Sequence, residues 1–410
     1  MYILFTYLLE LGVAIASLFS KKVRKMWRGE RHSFEILREK VDPNARYIWF
    51  HAASLGEFEQ GRPLMERVRQ NYPEYKILLT FYSPSGYEVR KDYKGADIIC
   101  YMPIDTPTNA IRFLRLVRPV MAFFIKYEFW YNFLHILHHR NIPTYSICSI
   151  FRPDQIFFKW YGRQYGRVLK CFTHFFVQNE ESKRLLAGIG LNNVDIVGDT
   201  RFDRVLQIKE AAKQLPIVEA FVHSGDPMRS KVFIAGSSWQ PDEDIFIPFF
   251  NNHKDWKMII APHVISENHL AQIESKLQGK SVRYTQTSKE QAAEADCLII
   301  DCFGLLSSIY RYGDVSYVGG GFGVGIHNTL EAGVWDIPVI FGPNNKKFQE
   351  AQGLLRDKGG FEITNASDFN QIMTGFIQDQ KAILRAGSQA GNYVKKLTGA
   401  TDIIMNSIQL

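Results

Sequence analysis

Short apolar runs rich in β-branched and aromatic residues recur along the whole chain, with helical patterns between them. Strands that read as continuous apolar runs, rather than as apolar–polar alternation, are covered on both faces, which is the condition of a parallel sheet with crossover helices. In the first half the runs are "YIWFHAA", "KILLTFY", "IICYMP", "VMAFFIKY", "TYSICSI", "HFFVQN" and "VDIVGD". In the second half they are "VFIAGSS", "KMIIAPH", "VRYTQT", "CLIID", "VSYVGG", "IPVIFGP" and "GFEIT". Each set suffices for one doubly wound sheet, so the sequence predicts an α/β protein of two Rossmann-like domains in tandem. A length of 410 residues, too great for one ordinary core, agrees. The expected division is a first segment 1–31, an N-terminal domain 32–203 ending at "GDTRFD", a less apolar linker 204–230, a C-terminal domain 231–385 and a C-terminal helix 386–410 able to pack back on the N-terminal domain. Two such sheets facing each other leave a cleft lined by the carboxyl ends of their strands, a place to bring a nucleotide-linked donor to an acceptor.

The formal net charge of +7 and pI near 9.0 call for an anionic partner: nucleic acid, a phosphorylated substrate or an acidic membrane. The five cysteines, at 100, 148, 171, 297 and 302, form no C-x-x-C pair and read as reduced, buried thiols. The opening "MYILFTYLLELGVAIASLFS" is apolar apart from Glu10, and "KKVRKMWRGER" follows at once. That length can span a bilayer, and neither a positive leader region nor a small-residue cleavage site marks it as a signal peptide. If it spans, the basic cluster places the body of the protein in the cytoplasm; if it lies in the interface, the cluster still attracts anionic lipid. An ordinary buried first helix is the remaining reading.

Two segments carry candidate chemistry. In "HAASLGEFEQGRPLMERV", residues 51–68, a strand runs through small residues into a helix, and Glu57 stands at the junction. Strand ends of parallel sheets are where such enzymes collect reactive groups, and a carboxylate there can act as a base; the first turn of a helix also suits an acid for purely local reasons. In "VSYVGGGFGVGIHNTLEAG", a strand enters a glycine-rich loop and then a helix expected to open near Asn328, where free N–H groups and the helix dipole can hold a phosphate. Glu331, three residues on, can accept from ribose hydroxyls or can simply be the capping partner of Asn328. No G-x-x-x-x-G-K-[ST] occurs, and the loop fits G-x-G-x-x-G in no register, which sets aside P-loop and nicotinamide enzymes. Asp242 and Asp244 in "QPDEDIF" have D-x-D spacing but read as a helix start after Pro241, and the histidines of "NFLHILHHR" lack a fourth ligand, so no metal site is expected. In "IKYEFWYN", alternation puts Lys126 and Glu128 on one face of a strand end, as a cleft pair or a surface ion pair.

Taken together, seven segments in order resemble the Kdo transferases of lipopolysaccharide synthesis, the GT-B enzymes that move 3-deoxy-D-manno-octulosonic acid (Kdo) from its CMP conjugate to a lipid A precursor. "HAASLGE" is similar to that family's H-A-V-S-V-G-E, and "EFWYN" to its E-L-W-P-N. "VQNEESKRLLAGIG", "GDTRFD", "IIAPH", "DCFGLL" and "VGGGFGVGIHNTLEAG" follow as the family's later segments do. The resemblance implies a GT-B fold with a membrane-associated N-terminal helix, at the cytoplasmic face of the inner membrane. It makes Glu57 the general base of a single inverting displacement, in which an acceptor hydroxyl attacks the anomeric carbon as CMP leaves. It assigns transition-state stabilisation to Arg201, at the family's Lys of K-F-D, and a site role to Glu128. CMP is expected against Pro262 and His263, against Phe303, Gly304 and Leu305, and against Asn328, Thr329, Leu330 and Glu331. CMP-Kdo is then a substrate, no cofactor or metal is needed, and the partners are the lipid A precursor and an anionic membrane rather than nucleic acid.

Departures from the family pattern are Lys126 in place of the first acid of E-x-E-L-W, His263 for the Arg of P-R-H, Leu305 for the Glu of M-G-E-L, and a glycine loop about one residue shorter. The alternative within enzymes is a GT-B transferase using a UDP-sugar on a lipid acceptor, separable by pyrimidine preference; a nucleotide-responsive membrane scaffold without turnover is the non-enzymatic one.

Overall fold

The computed structural model describes residues 2–223, 231–323 and 325–408. They divide into two units: residues up to Arg204 together with those from Thr398 on, and Val205 to Leu397. Of the expected linker, residues 224–230 lie outside the described residues, as do Val324 of the glycine loop and positions 1, 409 and 410. The rest of that linker carries two helices, Arg201–Glu210 running through its start and Pro216–Val222, joined by residues 211–215.

In the first unit the strands are β1 (Arg46–Ala52), β2 (Tyr75–Phe81), β3 (Ile98–Tyr101), β4 (Pro119–Ile125), β5 (Thr144–Ser149), β6 (His174–Val177) and β7 (Val194–Ile196). They form one sheet in the order β3-β2-β1-β4-β5-β6-β7, with every pair parallel. Burial explains the apolar runs. In β1 every residue after Arg46 is buried, and the two-residue period sends Trp49 into one layer, with Phe113, Phe124 and Phe133, and Phe50 into the other, with Phe58 and Phe123. Each such aromatic ring stabilises the sheet by about 1.5–3 kcal/mol through burial. Trp49 keeps its polar edge satisfied, donating from Nε1 to Thr80 Oγ1 at 2.8 Å.

The second unit repeats the plan with β8 (Lys231–Ser238), β9 (Trp256–Pro262), β10 (Ser281–Arg283), β11 (Cys297–Ile299), β12 (Val315–Val318), β13 (Val339–Phe341) and β14 (Gly360–Glu362), in the order β10-β11-β9-β8-β12-β13-β14. All of its pairs are parallel too. Each of the fourteen apolar runs carries a strand, as the sequence predicts. In both sheets the order reverses beside the first strand, between β1 and β4 and between β8 and β12, and that is where a crevice opens at the carboxyl ends.

Two helices precede β1, Tyr2–Phe19 and Lys21–Lys40, with Ser20 between them as the N-cap of the second. Arg24 seals the end of the first, donating to the carbonyls of Ser17 and Leu18. The expectation that this segment is long enough to span a bilayer is not met: no helix among the described residues is long and apolar enough to cross a membrane. The helix ends after 18 residues, at Phe19. Its polarity is inverted. Thr6 and Ser17 are buried, whereas Leu8, Leu11, Ile15 and Leu18, spaced along one helical face, are all more than half exposed.

The expected C-terminal helix 386–410 is two helices: Gln380–Lys396 in the second unit, and Ala400–Ser407, which packs Ala400, Ile404 and Met405 into the β1 core of the first. Asp203, the last residue of "GDTRFD", caps the latter, with Oδ1 accepting from Gly399 N (2.6 Å) and Oδ2 from Thr401 N (2.7 Å) and Oγ1 (2.6 Å). Asp203→Ala is therefore expected to lower the unfolding free energy by about 1–2 kcal/mol, the range for losing a good cap, read by urea denaturation. Asp203→Asn should recover part of it, since one accepting oxygen remains.

Candidate active site

Glu57 lies in the first turn of the helix Leu55–Asn71, which follows β1 directly. Ser54, the N-cap, turns its hydroxyl to Glu57 Oε2 instead of to a backbone N–H. The carboxylate is thus aimed by the residue that starts its helix. One turn on, Gln60 is buried and donates from Nε2 to Asp199 Oδ2 at 2.9 Å. Asp199 in turn accepts from Arg201 through its backbone N (2.9 Å), Nε (3.0 Å) and Nη2 (2.8 Å). Burial alone would raise the Asp199 carboxyl, but the Arg201 charge and the bonds from Arg201 and Gln60 outweigh it and hold it below the usual carboxylate range. Arg201 and Glu57 are consequently tied to one helix, with Asp199 and Gln60 as the link.

Glu128 follows β4, the strand beside β1. The alternation expected of Lys126 and Glu128 fails because β4 stops at Ile125 and Lys126 takes a left-handed φ of 68°, which turns the chain out of the strand. Lys126 Nζ stands over the Tyr127 ring. Glu128 Oε2 instead meets the Trp130 indole N–H at 2.6 Å and His51 Nε2 at 3.1 Å. His51 is fully buried, and its Nδ1 is 2.8 Å from Thr80 Oγ1. Thr80 Oγ1 also accepts from Trp49 Nε1 and donates to the Phe50 carbonyl at 3.4 Å, and Trp130 Nε1 stands 3.1 Å from His51 Nε2, so the two rings share the Glu128 carboxylate. Tyr82, Tyr127, Phe129, Trp130, Phe157 and Tyr165 surround Glu128 in an open, aromatic-walled cavity of about 410 Å³. Such walls suit a sugar ring, with polar edges toward one carboxylate.

In the second unit, Pro262 ends β9 and the exposed His263 follows. Its ring stacks on Trp239 (4.7 Å between centroids) and on His327 (4.3 Å). Trp239 Nε1 donates to His327 Nε2 at 3.2 Å. The glycine loop makes this possible at Gly320, whose φ of 92° suits glycine, and where a Cβ would fall 2.4 Å from the Gly325 carbonyl and against the His327 ring. The helix expected to open near Asn328 is a four-residue turn, Leu330–Gly333. Asn328 Oδ1 accepts from Leu330 N (3.1 Å) and Nδ2 donates to Glu331 Oε1 (3.0 Å), so the local capping geometry is present. Thr329 is buried with an unpartnered hydroxyl, and Leu330 is buried below it. Phe303 is largely exposed, Gly304 is left-handed at φ 87°, and Leu305 begins the turn that carries Tyr310, whose phenol burial drives up with Glu331 adding to the effect. Asp242 accepts from Tyr317 (2.6 Å), Gly320 N and Trp239 N, and Asp244 pairs with Lys276, so the D-x-D residues are occupied within the fold.

A family model described as 3-deoxy-D-manno-octulosonic-acid transferase (kdotransferase) matches residues 28–204. The 3-deoxy-D-manno-octulosonic acid transferase of Aquifex aeolicus is 26% identical over 361 residues, covering 85% of this chain and 92% of that one. That of Haemophilus influenzae is 22% identical over 393 residues, covering 90% and 87%. Along most of its length the chain is similar to Kdo transferases. Among solved structures, the chain superposes on UDP-GlcNAc 2-epimerase from Neisseria meningitidis with a TM-score of 0.61 at 14% identity (88% of this chain, 98% of that one). It superposes on Acinetobacter baumannii MurG with a TM-score of 0.54 at 10% identity (88% and 99%). These neighbours make the fold GT-B.

Four residues of the candidate site carry no assignment from sequence: His51, Trp130, Trp239 and His327. His51 and His327 stand inside the motifs, but their partners lie 77 and 88 residues away; only Trp239, directly after the first strand of its unit, carried a positional signal. Burial, with His263 beside it, pushes His327 down to about 4, so it is neutral at pH 7 and accepts from Trp239. Between about pH 6.5 and 4 the unfolded chain binds a proton that the folded one refuses, so this histidine makes stability fall as pH drops through that window. His327→Gln should lose less over the same range, by on the order of 1 kcal/mol after solvent screening, in urea titrations at stepped pH.

Proposed function

We propose that this transferase moves Kdo from CMP-Kdo to a phosphorylated lipid A precursor in one inverting displacement, with Glu57 as the base. The acceptor hydroxyl oxygen bonds to the anomeric carbon, the bond from that carbon to the CMP phosphate oxygen breaks with its electron pair leaving on CMP, and the hydroxyl proton goes to Glu57. The observation that carries this reading is the placement of Glu57: first turn after β1, at the strand-order reversal, aimed by Ser54 and coupled through Gln60 and Asp199 to Arg201. Arg201 supplies fixed positive charge for the leaving phosphate or the sugar carboxylate. Glu128, held by His51 and Trp130, orients the acceptor sugar among the aromatic rings around it. The Trp239–His263–His327 stack offers flat, uncharged faces to cytosine, with Glu331 toward the ribose. No bound metal is required by this scheme.

Association with the cytoplasmic face of the inner membrane belongs to the same proposal. It is supported by the exposed Leu8, Leu11, Ile15, Leu18 and Phe19 of the first helix, an apolar face beside a basic second helix.

The test is mass spectrometry of the lipid after incubation with CMP-Kdo and a tetraacylated lipid A precursor. Glu57→Gln should reduce turnover by roughly 10²- to 10⁴-fold, as expected for a missing general base. CMP, but not UDP, should raise the melting temperature of both wild type and Glu57→Gln equally. Near-normal turnover in the variant removes Glu57 from the chemistry, and equal protection by UDP moves the donor to another nucleotide class.

A further inference from the structure

Positive charge is unevenly divided. Residues 1–204 with 398–410 contain 30 Lys and Arg against 21 Asp and Glu, whereas 205–397 contain 19 against 21, so the whole excess of the chain sits on the first unit. Part of it belongs to the basic helix Lys21–Lys40. A second concentration lies elsewhere, between β5 and β6, where short helical turns at Ile156–Phe158, Trp160–Gly162, Arg163–Gly166 and Arg167–Cys171 replace a single crossover helix.

These turns build a groove of about 580 Å³ whose lining includes Lys159, Arg163, Arg167 and Lys170 and no acidic residue. Three of the four cations are exposed and Lys159 is half-buried. Beside them Trp160 is 82% and Tyr161 64% exposed, packed only edge-on against each other at 5.7 Å. A soluble surface rarely leaves two large aromatic rings projecting from a basic rim. Aromatic rings with a polar edge partition to the boundary between water and lipid headgroups, and lysines and arginines around them match anionic phosphate.

We propose that this groove and its two projecting rings form a second membrane-docking surface, specific for anionic phospholipid and independent of the N-terminal helix. Trp160 and Tyr161 enter the interface, and the four cations take lipid phosphates. The placement has a consequence for the site. Phe157 lines both this groove and the cavity that holds Glu128, and Tyr165, from the same turns, donates to the Phe129 carbonyl next to Glu128 at 3.2 Å. Docking here therefore holds the mouth of the Glu128 cavity at the lipid surface, where an amphiphile's headgroup is presented.

Cosedimentation of the full-length chain with vesicles tests the surface without reference to any turnover. Wild type should bind phosphatidylglycerol vesicles at least tenfold more tightly than phosphatidylcholine vesicles. The quadruple variant Lys159→Gln, Arg163→Gln, Arg167→Gln, Lys170→Gln should lose roughly tenfold or more of the affinity for phosphatidylglycerol, given the contribution of each cation near such a surface. Trp160→Ala with Tyr161→Ala should weaken binding to a lesser degree and remove its persistence at high salt, where screening suppresses the charge contribution. Unchanged melting temperatures and CMP protection should accompany both variants. Millimolar inorganic phosphate at constant ionic strength should displace nothing. Wild-type vesicle binding by the quadruple variant overturns the proposal, as does displacement by inorganic phosphate, which assigns the groove to a free anion. Because donor protection is read separately, a failure here leaves the Kdo-transfer reading standing, and a failure of that reading leaves this one.

Discussion

A single enclosed carboxylate organises the first unit. Asp199 is 5% exposed, and a lone charge so placed costs several kcal/mol. The fold answers it with the Arg201 guanidinium and the amides of Gln60 and Gln178, each from a different part of the chain. Gln178 follows β6 and also donates to the Cys148 carbonyl in β5; Gln60 belongs to the helix that Glu57 begins; Thr200 donates back to the Gln60 carbonyl. A buried pair of this kind adds little net stability over an apolar alternative, since desolvation offsets the attraction. Its consequence is positional. The ends of β5, β6 and β7 and the helix of Glu57 must keep a single register for the charge to be answered, and that register is what sets Arg201 and Glu57 on a common frame.

The second unit solves its problem without charge. His327 is neutral, Trp239 donates to it, and His263 closes the stack. Asp242, as deeply buried as the neighbouring Glu243, is held above the usual carboxylate range by burial despite bonds from Tyr317, Gly320 and Trp239, and those bonds fix the first turn of the helix Gln240–Asn251 against the glycine loop. A flat, uncharged face binds a planar base by dispersion and stacking while leaving the phosphate to other groups. On the function proposed above, the donor and acceptor sides would differ in dielectric character as well as in shape.

What the sequence discloses follows from the range of the interactions involved. Strands buried on both faces must be apolar throughout, so β1 and β8 could be read from their runs, and the parallel character of the sheets followed. The junction at Glu57 was legible for the same reason, because the end of an apolar run is a position. The left-handed turn at Lys126 was not, since nothing in "FIKYEF" marks a lysine as the residue that leaves the strand. Nor was the His51–Glu128 contact, whose partners are brought together only by the pairing of β1 with β4. The four-residue turn after Asn328 was overestimated because an Asn followed three residues later by Glu looks the same whether the helix beyond is long or short. Length of a helix is decided by what it packs on, which the local pattern does not contain.

Charge segregation, by contrast, is written in the sequence but acquires meaning only with the fold. A net charge of +7 spread evenly would act mainly through solubility. Confined to the unit that carries Glu57 and Glu128, it acts at contact, because at physiological ionic strength the reach of an exposed charge is about 8 Å. Contact-range charge is useful against a dense array of opposite charges, and an anionic lipid surface is such an array, whereas a single diffusing nucleotide is not. The inverted first helix, with Thr6 and Ser17 inward and its leucines outward, is costly in water by roughly 25 cal/mol per Å² of apolar area left exposed. That cost vanishes at a lipid interface. Polarity that is unfavourable in one solvent and favourable in another is the physical basis of the membrane association proposed for this unit.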